Sequence, residues 1–342
     1  KDPYPWQEKA IASWQKNDCS GIIEAVTGTG KTFVAVWLIH KYIQEGKRCL
    51  IVVPTQVLLR QWKDEIETEL GFELTSLLGA GYKQLDINQP ITLGVVNSVI
   101  NAKEDGLIDN EFDLIIADEC HRYGSERNQI ALLKETPHRL GLTATYDRSD
   151  DGLAEILTPY FKQKCFEYKF KDARRDNVIA PFISLSIGTD LTSEERDDYD
   201  SCGKTMGQKR NQLIRDYDWP SNFKKFMARY KKPKTKQEGI LAGKWFKAMS
   251  DRRRILSESE AKISVLPKIQ DIIEQSRGAL VYCESIDAAE YITDTLSGHG
   301  FKVECLHSKL KPHDRENIFD RFRRLETKCI VAIKILDEGI NV

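Results

Sequence analysis

Short apolar runs separated by longer amphipathic stretches organise the first half of the chain. Residues 21–26, 49–53, 91–96, 114–117 and 140–143 are continuous apolar segments rich in β-branched side chains, the pattern of strands buried on both faces. Between them, residues 32–44 and 57–70 place their apolar positions at helical spacing. Strand alternating with helix in this way predicts a parallel sheet covered on both sides. The pattern returns after Lys262: residues 267–275, 286–297 and 313–323 read as helices, and 279–283, 302–306 and 329–333 as strands. Residues 191–260 lack strand-like runs. They offer helical material instead, in 192–199, 209–216, 221–230 and 242–256. The expected architecture is α/β: two parallel-sheet units, the second incomplete at the C-terminus, with a helical insert between them.

Composition narrows the class without naming a function. A length of 342 residues, 41% hydrophobic and 30% charged, suits two compact domains and excludes disordered and fibrous chains. No apolar run approaches the roughly 18 residues of a membrane-spanning helix. The chain has no initiator Met and no charged-then-apolar leader, so it is expected to begin inside a longer polypeptide. The cysteines at 19, 49, 120, 165, 202, 283, 305 and 329 form no CxxC pair, and read as reduced core residues of an intracellular protein.

Charge changes the picture once it is resolved along the sequence. The whole chain carries −1, yet residues 1–160 carry −8, 161–203 carry −2, 204–254 carry +12 and 255–342 carry −3. Boundaries are expected at these positions: a first unit 1–160, a connecting segment 161–203, a basic helical insert 204–254 and a second unit 255–342.

Ala25-Val-Thr-Gly-Thr-Gly-Lys-Thr32 joins an expected strand to an expected helix, the setting of a phosphate-binding loop. Gly28 and Gly30 let the backbone of Thr27 to Thr32 turn its N–H groups toward the β- and γ-phosphates. Lys31 adds charge there, and the Thr32 hydroxyl is placed for Mg²⁺. Downstream, Leu114-Ile-Ile-Ala-Asp-Glu-Cys-His121 delivers two carboxylates at the end of a buried strand. Asp118 is expected to hold Mg²⁺ and Glu119 to orient or deprotonate the attacking water. Hydrolysis of a nucleoside triphosphate follows from the pair; a Gly-rich turn and a solvated acidic loop are the plainer readings of the same residues.

Asp118-Glu-Cys-His121 resembles the DExH box of superfamily 2 helicases and translocases, and further segments resemble that family's motifs in the family's order. Tyr4-Pro-Trp-Gln7 is similar to the Q motif, with Gln7 placed to read adenine and Tyr4 where an Arg is common. Val53-Pro-Thr-Gln-Val-Leu-Leu-Arg-Gln-Trp62 is similar to motif Ia, which implies strand contacts by Pro54, Thr55 and Gln61; Asn97 and Ser98 stand in the place of motif Ib. Leu142-Thr-Ala-Thr145 is similar to motif III, implying that Thr143, Ala144 and Thr145 couple nucleotide state to domain movement. Leu280–Ser285 is similar to motif IV and Leu306-His-Ser308, with Arg315, to the segment after it; Ser285 and Ser308 would then face the strand. Residues 332–339 are similar to motif V, which implies a nucleotide contact by Gly339 and contacts by Asp337 and Glu338, although Ile333 and Asn341 depart from the usual Thr and Asp.

Within the superfamily the likeness is to the XPB-like branch. Arg148-Ser-Asp150 stands where that branch has an Arg-Glu-Asp element proposed to help separate strands, and the basic insert stands where it has a thumb-like projection. The resemblance implies two RecA-like lobes, ATP with Mg²⁺ on the first lobe, a second lobe that closes over it, DNA as partner and 3′→5′ polarity. RNA is not excluded as a partner. The segment supplying the family's arginine fingers falls after Val342, so this stretch by itself is expected to hydrolyse ATP slowly.

In the insert, basic residues such as Lys224, Lys225, Lys231 and Lys232 interleave with Phe223, Phe226, Tyr230, Trp245 and Phe246. The charge is read as a grip on nucleic acid, and the aromatics chiefly as the insert's own core. His121 is read as a coupling residue, since no second ligand at metal spacing accompanies it. The reading is an ATP-dependent DNA helicase or translocase. Two other classes stay open: a duplex-translocating motor of a restriction or phage-defence complex, and an ATP-gated nucleic-acid clamp.

Overall fold

In the computed structural model the described residues are 2–70, 76–79, 89–108, 112–148 and 150–333. They divide into two compact units, Lys1–Ser184 and Leu185–Val342.

The first unit is built on a seven-stranded sheet of β1 (Ser20–Ala25), β2 (Cys49–Val53), β3 (Ser76–Leu78), β4 (Ile91–Val95), β5 (Leu114–Ala117), β6 (His138–Thr143) and β7 (Lys164–Tyr168), in the order β3-β4-β2-β5-β6-β1-β7. Every pairing is parallel. Helices α1 (Pro5–Lys16), α2 (Lys31–Gln44), α3 (Gln56–Leu70), α4 (Val96–Glu104), α5 (Thr158–Phe161) and α6 (Phe170–Arg175) accompany it. The all-apolar β2 and β5 are buried at every residue, which is why they read as unbroken hydrophobic runs. The sheet continues past the boundary expected at residue 160, because β7 pairs with β1. Its mixture of the charged Lys164 and Glu167 with Phe166 and Tyr168 is that of an edge strand rather than a central one.

The second unit opens with a helical part: α7 (Ser193–Tyr217), α8 (Phe223–Lys231) and α9 (Lys236–Glu258). Two helices expected at 192–199 and 209–216 are one 25-residue helix. Helix α7 runs through Gly203 and Gly207; it packs along α9, and tertiary contact overrides their low helix propensity. Leu213, Trp219, Phe226, Ala242 and Trp245 form the core of this part. The Phe226 ring lies 4.8 Å from both Trp219 and Trp245, so Phe226 and Trp245 are packing residues as expected and Tyr230 packs against them, whereas Phe223 and Phe246, also expected in this core, are exposed. After α10 (Glu260–Ile263) and α11 (Gln270–Gln275), a parallel sheet in the order β8-β10-β9 follows, from β8 (Ala279–Cys283), β9 (Val303–Leu306) and β10 (Cys329–Ile333), with α12 (Ile286–Gly298) and α13 (Pro312–Arg323).

The insert is fastened to this sheet. Arg253 reaches both carboxylate oxygens of Glu284 at 2.8 Å, and the Ser285 hydroxyl donates to Glu258 at 2.6 Å. Among the described residues no helix is long and apolar enough to cross a membrane, and all eight cysteines are free.

Candidate active site

The strand order brings the chemistry together. In the first sheet β6 lies between β5 and β1, with Glu24 opposite Thr143 and Ala117 opposite Gly141. The phosphate loop after β1, the carboxylates after β5 and the residues after β6 therefore emerge side by side at the carboxyl edge, where open parallel sheets bind ligands.

Gly28 and Gly30 have φ of +81° and +86°, a region that glycine enters without steric cost. A side chain at Gly28 would meet nothing within 4 Å, whereas one at Gly30 would press on the Gln7 amide. Helix α2 starts at Lys31 with Gly30 as its N-cap, so unpaired backbone N–H groups face the loop. The buried Thr29 hydroxyl donates to the Val26 carbonyl at 2.7 Å and fixes the turn, Thr27 is exposed and Thr32 is half-buried. Lys31 Nζ donates to the Ala25 carbonyl at 2.8 Å. Burial lowers the Lys31 pKa, while the charges of Glu119 and Asp118 act to raise it.

Asp118 is buried, with one donor on each oxygen: Trp62 Nε1–H on Oδ2 at 2.7 Å and the Glu119 N–H on Oδ1 at 3.0 Å. Burial pushes its carboxyl up to about 6, and the Trp62 hydrogen bond opposes that rise. Glu119 takes a positive φ of 47°, uncommon for a residue with a side chain, and turns the chain into a 3-10 turn, Cys120–Tyr123.

His121 is wired to the end of β6. Its Nδ1 lies 2.9 Å from Thr143 Oγ1 and 3.4 Å from Glu119 Oε2. The Thr143 hydroxyl donates its only proton to the Thr145 carbonyl and accepts the Thr145 N–H, so Nδ1 must be the donor to Thr143. Burial, with Arg122 and Arg148 nearby, lowers the His121 pKa. This neutral, Nδ1-protonated ring joins the carboxylate pair to Thr143, Ala144 and Thr145.

Several expected contacts are placed differently. The Gln7 amide is buried and already used: Oε1 accepts the Tyr4 N–H at 2.7 Å and Nε2 donates to the Gly30 carbonyl at 3.0 Å. Beside it opens a cleft of about 580 Å³ lined by Tyr4, Trp6, Lys9, Phe166, Tyr168 and Arg175, among others; the Trp6 and Tyr168 rings stack 4.6 Å apart. Arg148 binds both oxygens of Asp150 at 2.7 Å and donates to the His121 carbonyl. That guanidinium is thus turned into the lobe rather than presented to a strand. Pro54, Thr55 and Gln61 are half-buried around the start of α3, where Thr55 Oγ1 accepts the Leu58 N–H. Asn97 is exposed and Ser98 half-buried in the first turn of α4.

In the second unit, Ser285 accepts the Ala288 N–H as the N-cap of α12, a packing duty in addition to any strand contact. Ser308 is exposed after β9. Lys225, Lys231 and Lys232 are exposed, and Lys224 lies on α8 with Lys225. Gly339, Asp337 and Glu338 fall outside the described residues.

Trp62, the last residue of the segment similar to motif Ia, touches the site in a way its sequence position does not announce. A tryptophan on the apolar stripe of an amphipathic helix reads as core, and only the placement of β5 beside β2 reveals its acceptor.

Together, the glycine-bent loop, its lysine and the carboxylate pair on a parallel sheet define a P-loop nucleoside triphosphatase. Residues 1–148 match the family model for the type III restriction enzyme res subunit, and residues 261–342 the helicase conserved C-terminal domain. The chain is 31% identical to a DNA 3'-5' translocase XPB2 of Sulfurisphaera tokodaii, over 98% of this chain and 72% of that protein. It is 24% identical to a putative DNA 3'-5' helicase Rad25 of Halobacterium salinarum, over 100% of this chain but about half (48%) of that protein's length. Among solved structures, the Hef helicase domain of Pyrococcus furiosus matches with a TM-score of 0.60 at 16% identity, covering 99% of this chain and 88% of that one; it shares the fold. The chain belongs to the XPB-like branch of superfamily 2, the ATP-dependent DNA helicases and translocases.

Proposed function

We propose that this chain is the motor of an intracellular ATP-dependent DNA helicase or translocase moving 3′→5′. The observation that carries the reading is the meeting of Lys31, Asp118, Glu119 and His121 at one sheet edge. The polarity and the DNA substrate follow the naming of its relatives.

The residues fit a nucleotide with its magnesium. Two positive-φ glycines open a cradle with nothing above Gly28, and Asp118 keeps a lone pair on each oxygen after its two donors are counted. Thr32 and Asp118 would hold Mg²⁺, whose charge offsets that of the phosphates when bound. Backbone N–H groups of Thr27 to Thr32 and the Lys31 ammonium bind the phosphate oxygens. Glu119 accepts the proton of the attacking water. The cleft beside Gln7, with the stacked Trp6 and Tyr168 rings in its wall, suits a base.

ATPase rate measured with single-stranded, duplex and forked DNA and with RNA tests the reading. Stimulation by DNA is expected; a rate that no nucleic acid changes would instead support a nucleotide-gated clamp.

The insert is proposed to supply the grip. Lys225, Lys231, Lys232 and Lys234 are exposed and none has an acidic partner among the described residues. Reversing these four to Glu is expected to weaken DNA binding about tenfold or more and to flatten its salt dependence, each lost phosphate contact removing about 0.9 from the slope. Fluorescence anisotropy at stepped salt checks this. Unchanged slope and affinity would leave the charge as a solvated face.

A further inference from the structure

Helix α3 packs against α2, β2 and β4, and its Trp62 is buried among them. A buried indole usually finds an acceptor for its single N–H. Trp14 finds a backbone carbonyl, that of Arg139 at 3.0 Å. Trp62 reaches across to the end of β5 and donates instead to Asp118 Oδ2 at 2.7 Å, a bond strengthened by the carboxylate's charge.

The two donors on Asp118 differ in origin. The Glu119 N–H comes from the next residue and follows from the local turn of the chain. The Trp62 N–H comes from a different element, 56 residues away in sequence. A carboxylate turns easily about its last torsion, which has a broad energy profile. One donor on each oxygen fixes the carboxylate plane, and directs the remaining lone pairs. A donor of this kind acts on a metal ligand as the hydrogen-bond partners of metal-binding carboxylates do elsewhere.

We propose that Trp62 is a positioning residue of the nucleotide site, its indole N–H holding the Asp118 carboxylate in the orientation that receives the magnesium of bound ATP. The inference rests on Asp118 as the magnesium-holding carboxylate. It assigns to the segment similar to motif Ia a role in the nucleotide site beyond the strand contacts that the resemblance implies for Pro54, Thr55 and Gln61.

The test is binding of a fluorescent ATP analogue to the full chain at stepped Mg²⁺, with two variants at position 62. Trp62→Phe removes the N–H and some volume. Replacement of Trp62 by benzothienylalanine removes the N–H and keeps the shape. Both are expected to raise the half-saturating Mg²⁺ concentration about tenfold, with binding of the metal-free analogue unchanged. Should Trp62→Phe unfold the lobe, the benzothienylalanine protein still decides the matter. If that protein binds with wild-type Mg²⁺ dependence, Trp62 is a packing residue and the proposal is wrong. Asp118→Asn is measured alongside: if it leaves Mg²⁺ dependence unchanged, the assignment of Asp118 fails and takes the proposal with it. A shift in Asp118→Asn without one at position 62 removes Trp62 alone.

Discussion

Glu119→Gln is expected to lower the DNA-stimulated rate of ATP hydrolysis about 10²–10⁴-fold, the range for loss of a positioned general base, while ATP affinity stays within a few-fold. The amide matches the carboxylate in size, so packing and the 3.4 Å approach to His121 are preserved. What it loses is the capacity to accept the water's proton. Glu119 is half-buried at the mouth of the strand end, whereas Asp118 behind it is buried and its remaining lone pairs are those assigned to the magnesium, so Asp118 is not expected to substitute as base. Single-turnover hydrolysis at saturating DNA, paired with binding of a non-hydrolysable analogue, checks the split. Retention of a tenth or more of the rate would assign the base elsewhere.

Lys31→Ala is expected to lose both nucleotide binding and rate, the latter by about 10²–10³, as when a preorganised donor to the reacting group is removed. The Lys31 ammonium is already directed toward the site by the Ala25 carbonyl and lies within the field of Asp118 and Glu119. Removing it takes away an attraction that keeps Asp118 ionised, so the damage extends from the phosphates to the metal-holding carboxylate. Lys31→Arg keeps the charge but not its compact, strongly hydrated form, and is expected to recover little. Calorimetric titration with ATP and thermal melting separate this from unfolding: binding is lost while the melting temperature stays near that of the parent chain.

Local sequence carried the first lobe well, because its central strands are buried on both faces: β2, β4 and β5 lie within the runs that predict them. The phosphate loop was equally legible, since left-handed backbone at Gly28 and Gly30 demands glycine. What escaped depends on partners distant in sequence. Strand β7 has the mixed polarity of an edge and is recognisable only through its pairing with β1. The continuity of α7 across two glycines depends on α9. Gln7 and Arg148 were read from motif position as ligand-facing. In the structure their polar atoms meet the Gly30 carbonyl and Asp150, because a buried amide or guanidinium is held by whatever acceptor is near. Trp62 belongs with these: the residue type announces burial, and only the tertiary fold tells which acceptor its N–H finds.

The attachment of the insert has a mechanical consequence. Helix α9 runs for 23 residues, an arm of about 34 Å, clamped at its C-terminal end by Arg253–Glu284 and Glu258–Ser285 and stiffened along its length by α7. Lys231, Lys232 and Lys234 lie just before its free N-terminal end. A rotation of the β8-β10-β9 sheet by about ten degrees would therefore sweep those lysines through roughly 6 Å, near two phosphate spacings of a DNA strand at about 3.4 Å each. With the grip proposed for the insert, the length of α9 would set the gearing between a small turn at the sheet and a nucleotide-sized stroke at the charged tip.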